Sequence, residues 1–543
     1  MATQQTKPVR EALADGLFLA RTLASAGVLR PGRPDRVARS LLALHRFGPT
    51  LAAGYIGAAA ARPDTAAIID EAGTLGFAEL DRRTNALAHA LAAQGVGEGS
   101  GIAIMCRNHR GFIETSVACS KLGANALYMN TAFAAPQVAD VVAREGPSAI
   151  VYDEEFADTV KEVILTRPAF VAWSDQPGTR SRQTLDELIA ASPTTPPRPP
   201  SAPGRIVILT SGTTGTPKGA NRESPGSLEP AAALLSRIPL HAHETTVIAA
   251  PLFHSWGFAH FTLSTALQST LVLHRRFDPL RTLEAVQEHR ASALIVVPVM
   301  LQRMLELGPE VLASIDTSSL RVIASSGSEL PGPLAQRVMD TFGEVLYNLY
   351  GSTEVAWATI ATPEDMRAAP GTAGRVPRGT VVKIIGDDGR ELPAGETGRI
   401  FVGNEMLFEG YTGGGDKQRL GSLMATGDVG HFDHDGRLFV DGRDDEMIVS
   451  GGENVFPAEV EDLLARVAGV REVAVIGVPD EEFGQRLRAY VALEEGASIT
   501  AEQLQEHVKT NLARYKVPRE IEFVPELPRN ATGKVLKREL ARG

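Results

Sequence analysis

One segment constrains this chain above all others: the apolar run Ile206–Leu209 leads directly into Thr210-Ser211-Gly212-Thr213-Thr214-Gly215-Thr216-Pro217-Lys218-Gly219. A strand feeding such a loop needs a sheet that delivers the loop to open space, and each residue type in it suits a phosphate. Glycines let backbone N–H groups approach phosphate oxygens, Ser and Thr donate hydrogen bonds, and lysine supplies positive charge where a triphosphate gathers negative charge. Composition alone leaves a plain flexible turn as an equal reading. The residue order excludes a Walker A loop, which requires Gly before the lysine and Ser or Thr after it. Here Pro217 precedes Lys218 and Gly219 follows it.

Around that loop, short β-branched runs such as Leu294–Val297 and Arg321–Ala324 alternate with amphipathic segments, the pattern of sheets covered by helices. Ser192–Pro203 is too rich in proline to continue a helix or a central strand and reads as a surface loop. Val381–Ile385, Ile400–Val402 and Leu438–Val440 predict closely spaced strands of a β-rich subdomain. Beyond Arg443 the pattern predicts a helix over Ala458–Val467, strands over Val473–Val478 and Tyr490–Leu493, and a helix from Ala501 with a Thr500/Gln503 capping box. The fold class is therefore α/β.

A chain of 543 residues, 43% hydrophobic and 22% charged, has material for a large core and more than one domain. Its 54 Lys and Arg against 65 Asp and Glu give a net charge of -11, which argues against nucleic acid as a partner. The two cysteines, Cys106 and Cys119, have neither zinc nor redox spacing and read as packed thiols in a reducing compartment. With no signal-peptide series and no run of membrane-spanning length, a cytoplasmic location is expected. Leu41–Ala61 comes nearest to a membrane element but is interrupted by His45, Arg46 and Pro49. Residues 1–60 read as a helical extension covering part of the main domain, with a weak peripheral membrane foothold as the less favoured role.

The order Thr-Ser-Gly-Thr-Thr-Gly-Thr-Pro-Lys-Gly over 210–219 resembles the signature loop of the adenylate-forming superfamily, which includes acyl-CoA synthetases, aryl-CoA ligases and luciferases. Tyr347-Asn348-Leu349-Tyr350-Gly351-Ser352-Thr353-Glu354 is similar to that family's adenine and magnesium motif. The resemblance puts Asn348, Tyr350 and Gly351 at the nucleotide, Thr353 at the α-phosphate, and Glu354 with Thr210 on magnesium. It lays Gly327, Ser328 and Glu329 along the adenine and acyl pocket, and assigns Ser211, Gly212, Thr213, Thr214, Gly215 and Lys218 to the phosphates. Thr426-Gly427-Asp428 resembles the ribose motif, where Asp428 can accept from a ribose diol and Arg443 joins it. Pro528–Val535 resembles the motif that carries the catalytic Lys534, and Pro251–Gly257 the motif bordering the acyl pocket, with His254 at its gate.

The resemblance implies a large N-terminal domain of two α/β sheet subdomains plus a β-rich subdomain, followed by a small mobile α+β domain. The boundaries expected are 1–60 for the extension, 61–442 for the adenylation domain, 443–445 for a hinge centred on Asp445, and 446–543 for the mobile domain. It also implies ATP, Mg2+ and coenzyme A as cofactors. Lys534 and magnesium would stabilise charge as a carboxylate attacks the α-phosphorus, and domain rotation would then bring Gly451, Gly452 and Glu453 to the pantetheine arm. Val449 stands where some relatives have lysine. A medium- to long-chain fatty acid is the expected substrate, with transfer to a carrier protein or an aryl acid as alternatives. A non-enzymatic scaffold is disfavoured because Lys534, Glu354 and the phosphate loop are all present. A homodimer stays open.

Overall fold

Runs such as Leu294-Ile295-Val296 carry no polar face, so they suit strands covered on both sides. In the computed structural model of the chain, Ala293–Val296, Val322–Ser325 and Thr270–Leu273 are such strands, buried at every position. Each buried Leu, Ile or Val there contributes about 2 kcal/mol. The structure describes residues 9–29, 33–175, 182–210, 218–222, 227–412, 414–444, 448–450, 453–480, 484–530 and 533–541.

Three helices come first: α1 (Val9–Ser25), α2 (Pro34–Phe47) and α3 (Leu51–Ala61), with the chain breaking at Gly48-Pro49 between the last two. Among the described residues, four sheets follow. An eight-stranded sheet runs from Thr359–Ala361 through Leu346–Tyr350 and the buried strands above to Ala66–Asp70 and Gly73–Gly76, its interior parallel and its edges antiparallel. A seven-stranded sheet carries Ile206–Thr210, which pairs in parallel with Asn125–Tyr128 and antiparallel with Lys218–Arg222. Helix α4 (Ser255–Leu267) packs under α3 and has nine-tenths or more of Phe258, Phe261 and Leu263 removed from solvent.

The β-rich unit is a third, antiparallel sheet containing Val381–Ile385, Gly398–Gly403, Leu423–Phe432 and Leu438–Arg443. The fourth sheet belongs to the C-terminal unit, where Val470–Asp480 and Gly484–Leu493 form a long antiparallel ladder. Both strands exceed the lengths expected from sequence, because the ladder satisfies backbone groups well past the apolar run. Helix α5 (Pro457–Leu464) is shorter than expected. Pro457 occupies its first turn, and beyond Leu464 the chain turns through Gly469, at φ +92°, into the next strand. The Thr500/Gln503 capping box is present. Among the described residues no helix is long and apolar enough to cross a membrane.

Candidate active site

The antiparallel pairing of Leu423–Phe432 with Leu438–Arg443 sets Asp428 directly opposite Arg443. Arg443 Nη1 donates to Asp428 Oδ1 at 3.2 Å, and the Tyr350 hydroxyl donates to Oδ2 at 2.6 Å. Burial first, then the Asp428 charge, holds the Tyr350 phenol well above its ordinary range, so it stays a donor. Gly427 sits at φ +86°, a backbone conformation that favours glycine in this turn.

Thr210 and Lys218 are register partners in the antiparallel pair Ile206–Thr210 and Lys218–Arg222. Ser211, Gly212, Thr213, Thr214 and Gly215 lie outside the described residues, as do Asp445, Gly451 and Gly452; for Thr210 and Glu453 only the backbone is described. Lys218 Nζ lies 5.1 Å from the centre of the Tyr411 ring, and Tyr411 donates its hydroxyl proton to Glu354 Oε1 at 2.7 Å. Glu354 is 9% exposed, and its carboxylate keeps hard oxygen lone pairs suited to a magnesium ion. Sequence reasoning missed Tyr411. It arrives through the pairing of Gly410–Tyr411 with Ala220 and Asn221, a contact between distant segments whose sole local trace is an aromatic after Glu409-Gly410.

Ser255, the first residue of α4, brings its Oγ to 3.4 Å from Thr353 Oγ1. Beside it, His254 packs its ring 4.8 Å from that of Phe253, and burial pulls its pKa down to about 4, so the imidazole is neutral at pH 7. Among the described residues, nothing hydrogen-bonds the buried His254 Nε2 or Asn348 Oδ1. Both residues line a cavity of about 1420 Å³. Buried polar atoms are nearly always paired, so these two fit a cavity whose polar contents complete them. Gly351 fits the same wall closely: a Cβ would lie 2.2 Å from Ala356 O. Gly327 is at φ +98°, and Ser328 follows it on the cavity wall.

Lys534 enters this cavity from the C-terminal unit. Its backbone N–H donates to Asn530 Oδ1 at 2.9 Å, and Arg529 donates to Gly533 O at 2.6 Å while pairing with Glu472 at 3.1 Å. Gly533, at φ +80°, seats the turn against the large domain, where a Cβ would lie 2.4 Å from Val299 Cγ1. Glu329 lines the cavity as expected from sequence, yet it also faces Asp462 and Glu461 of α5. Its side chain is exposed in the cleft between the two units. Lost solvation there, then the two acidic neighbours, raises its pKa, and Asp462 is raised with it. Lys537 pairs with Glu461 at 2.8 Å. This junction between units had no signature in the sequence.

A second cluster, Cys106, His109 and Asp153, is fully buried in the seven-stranded sheet. His109 uses both ring nitrogens, with Asp153 Oδ1 at 2.7 Å and the Gly111 N–H at 3.1 Å, so the group is a saturated structural network. Both cysteines are free and buried, and burial pushes the Cys119 thiol up to about 12.

Residues 57–412 match the family of AMP-binding enzymes, and residues 459–534 match the AMP-binding enzyme C-terminal domain. The chain belongs to the AMP-binding enzyme family. This AMP-binding enzyme is 34% identical over 486 residues to a feruloyl-CoA synthase of Amycolatopsis, covering 88% of this chain and 96% of the relative. It is 35% identical to an indoleacetate–CoA ligase of Aromatoleum aromaticum, covering 85% and 92%. A long-chain-fatty-acid–CoA ligase of Mycobacterium tuberculosis is 30% identical, covering 85% and 91%. Among solved structures, ATP-bound MatB from Rhodopseudomonas palustris superposes with a TM-score of 0.81 at 26% identity, covering 91% and 98%. The AMP-binding enzyme is thus an adenylate-forming acid–thiol ligase of the AMP-forming type, with a large N-terminal and a small C-terminal domain.

Proposed function

We propose that this enzyme activates a medium- to long-chain fatty acid as its acyl-adenylate and transfers the acyl group to coenzyme A. The observation that carries the adenylation step is the meeting of Lys534 with Thr353, Glu354 and the Asp428–Arg443 pair around one cavity. A carboxylate is a poor acyl donor until one oxygen becomes a leaving group, and ATP makes it one. Asp428 and Arg443 hold the ribose, Lys218 and the loop 210–219 steady the departing β- and γ-phosphates, and Asn348, Tyr350 and Gly351 border the adenine with Gly327, Ser328 and Glu329. Lys534 and Thr353 stabilise the charge that grows on the α-phosphate as the acid attacks. Magnesium, held by Glu354 with Thr210, would neutralise phosphate charge.

Neutral His254 borders the acid without adding charge, a role supported by its buried Nε2, which has no partner among the described residues. For the second step, motion about Asp445 would withdraw Lys534 and bring Gly451, Gly452 and Glu453 to the thiol. The apolar acid is supported by the cavity wall, which includes Trp256, Phe258, Leu263 and Leu330. An aryl acid is the second reading, favoured by the names of the feruloyl-CoA and indoleacetate relatives.

The test is release of pyrophosphate and AMP from the purified enzyme with Mg·ATP, across fatty acids of graded length and aryl acids, with and without coenzyme A. Turnover that needs both a fatty acid and coenzyme A, and yields the thioester, supports the proposal. A preference for ferulate or indoleacetate moves it to the aryl reading. A stoichiometric pyrophosphate burst despite coenzyme A points to another acceptor, such as a carrier protein.

A further inference from the structure

The family match starts at residue 57, yet the helices before it help to wall the cavity. Helix α2 is held by a polar and small face: Arg36 Nη1 donates to Ala61 O at 2.6 Å, Ser40 Oγ donates to Gly57 O at 3.3 Å, and Ala43 is 3% exposed. Beside that face runs an apolar stripe at i, i+4 and i+7. Val37, Leu41 and Leu44 line the cavity while remaining 42%, 60% and 42% exposed. An amphipathic helix ordinarily buries its large apolar side chains and leaves small and polar ones outside. Here the arrangement is reversed, and the stripe faces space that apolar matter can fill.

That space is continuous with the reacting centre. Helix α4 starts there, with Ser255 against Thr353, and Ala259, Thr262 and Ala266 continue along the cavity wall on the same helical face. From Ser255 to Ala266 the helix advances about 16 Å. The side chains along this face are small, so the path stays open. At its far end Gly54 of α3 lets Thr265 come close, since a Cβ there would lie 2.6 Å from Thr265 Cβ. This draws α3, and α2 with it, onto the end of α4.

We propose that the tail of a long acyl substrate runs along α4 and ends on the Val37–Leu41–Leu44 stripe, so that the N-terminal extension sets the enzyme's chain-length preference. The inference rests on the adenylation reading above. The occupant is the substrate's own tail, because the stripe bounds the same cavity as Thr353 and Lys534. A short or single-ring acid ends on α4 and leaves the stripe untouched.

The test is the double substitution Leu41→Asp with Leu44→Asp, both at exposed positions, compared with wild type in two readouts. One is affinity for acyl-sulfamoyl-adenosines of graded acyl length, which needs no turnover; the other is kcat/KM for the matching acids. The expected result is a loss of about tenfold or more for the longest tails, shrinking to none for short and aryl tails, since each methylene withdrawn from water counts separately. Equal loss at every length, or no loss at any, would overturn the proposal. Loss of co-sedimentation with phosphatidylglycerol vesicles, with the length profile unchanged, would seat the stripe on lipid and also overturn it. If wild type binds short acyl analogues and the long ones no better, the chain-length proposal fails alone; if it binds none, the adenylation reading fails and takes the proposal with it.

Discussion

Asp428 already holds two protein donors, Tyr350 at 2.6 Å and Arg443 at 3.2 Å, whereas His254 Nε2, on the same cavity, is buried with none among the described residues. The first region is paired before any ligand arrives, so under the proposed function a ribose diol would meet a carboxylate that is already oriented. The second leaves hydrogen-bonding capacity and apolar wall for whatever acid enters. An enzyme that uses one nucleotide with varied acids benefits from that division, with preorganisation on the constant part of the substrate and adaptability on the variable part.

Of the changes that probe this contrast, breaking the paired region has the largest expected effect. Asp428→Ala removes the acceptor of both donors and strands Tyr350 and Arg443, so kcat/KM for ATP is expected to fall about 100-fold, with KM for the acid little changed. An equal loss on both substrates would show that the two regions are not independent. Next in size is Tyr411→Phe, which deletes the 2.7 Å hydrogen bond to Glu354. About a tenfold loss in kcat/KM for ATP is expected, partly recovered by raising magnesium. Loss that magnesium does not touch would separate Tyr411 from the metal role proposed for Glu354.

A smaller effect should follow pH at the junction of the two units. Lost solvation in the cleft, then Asp462 and Glu461, raises the Glu329 pKa above the ordinary glutamate range, so the arrangement seen here binds a proton more readily than separated units would. It is favoured as pH falls and disfavoured as pH rises through the raised pKa. A fluorescence pair across the domains should report this pH dependence in wild type and a weaker one, left to Asp462, in Glu329→Gln. Smallest is the contribution of His254. Its lowered pKa means the folded state binds fewer protons than the unfolded one between about 4 and 6.5, so stability rises with pH across that window. The pH–rate profile should show no His254 inflection near neutrality, and His254→Gln should leave its shape unchanged above pH 6.

The motif residues could be singled out in the sequence because each stands in a fixed local order of chemistry-bearing types. Lys218 follows a glycine-rich turn, Glu354 follows Gly351-Ser352-Thr353, and Asp428 follows Thr426-Gly427. The parallel strands were legible because burial on both faces leaves uninterrupted apolar runs such as Ala293–Val296. What escaped depends on long-range pairing. Tyr411 reaches Glu354 only through a two-residue strand laid against Ala220 and Asn221. Glu329 meets Asp462 only because the turn at Gly533 seats the C-terminal unit on Val299. The stripe on α2 looks like any amphipathic helix until the cavity beside it is seen. Helix α5 ended early because the turn at Gly469 outweighed the apolar pattern that extended to Val467.

The most direct test of the account separates the two half-reactions in Lys534→Ala. Its side chain stands in the cavity that also holds Thr353, so adenylation, read as pyrophosphate release with Mg·ATP and a fatty acid, should fall about 100- to 1000-fold. Thioester formation from synthetic acyl-AMP and coenzyme A should stay within a few-fold of wild type, about 1 kcal/mol. Equal loss in both steps would contradict the role given to Lys534 and with it the central claim that this cavity is the adenylation site.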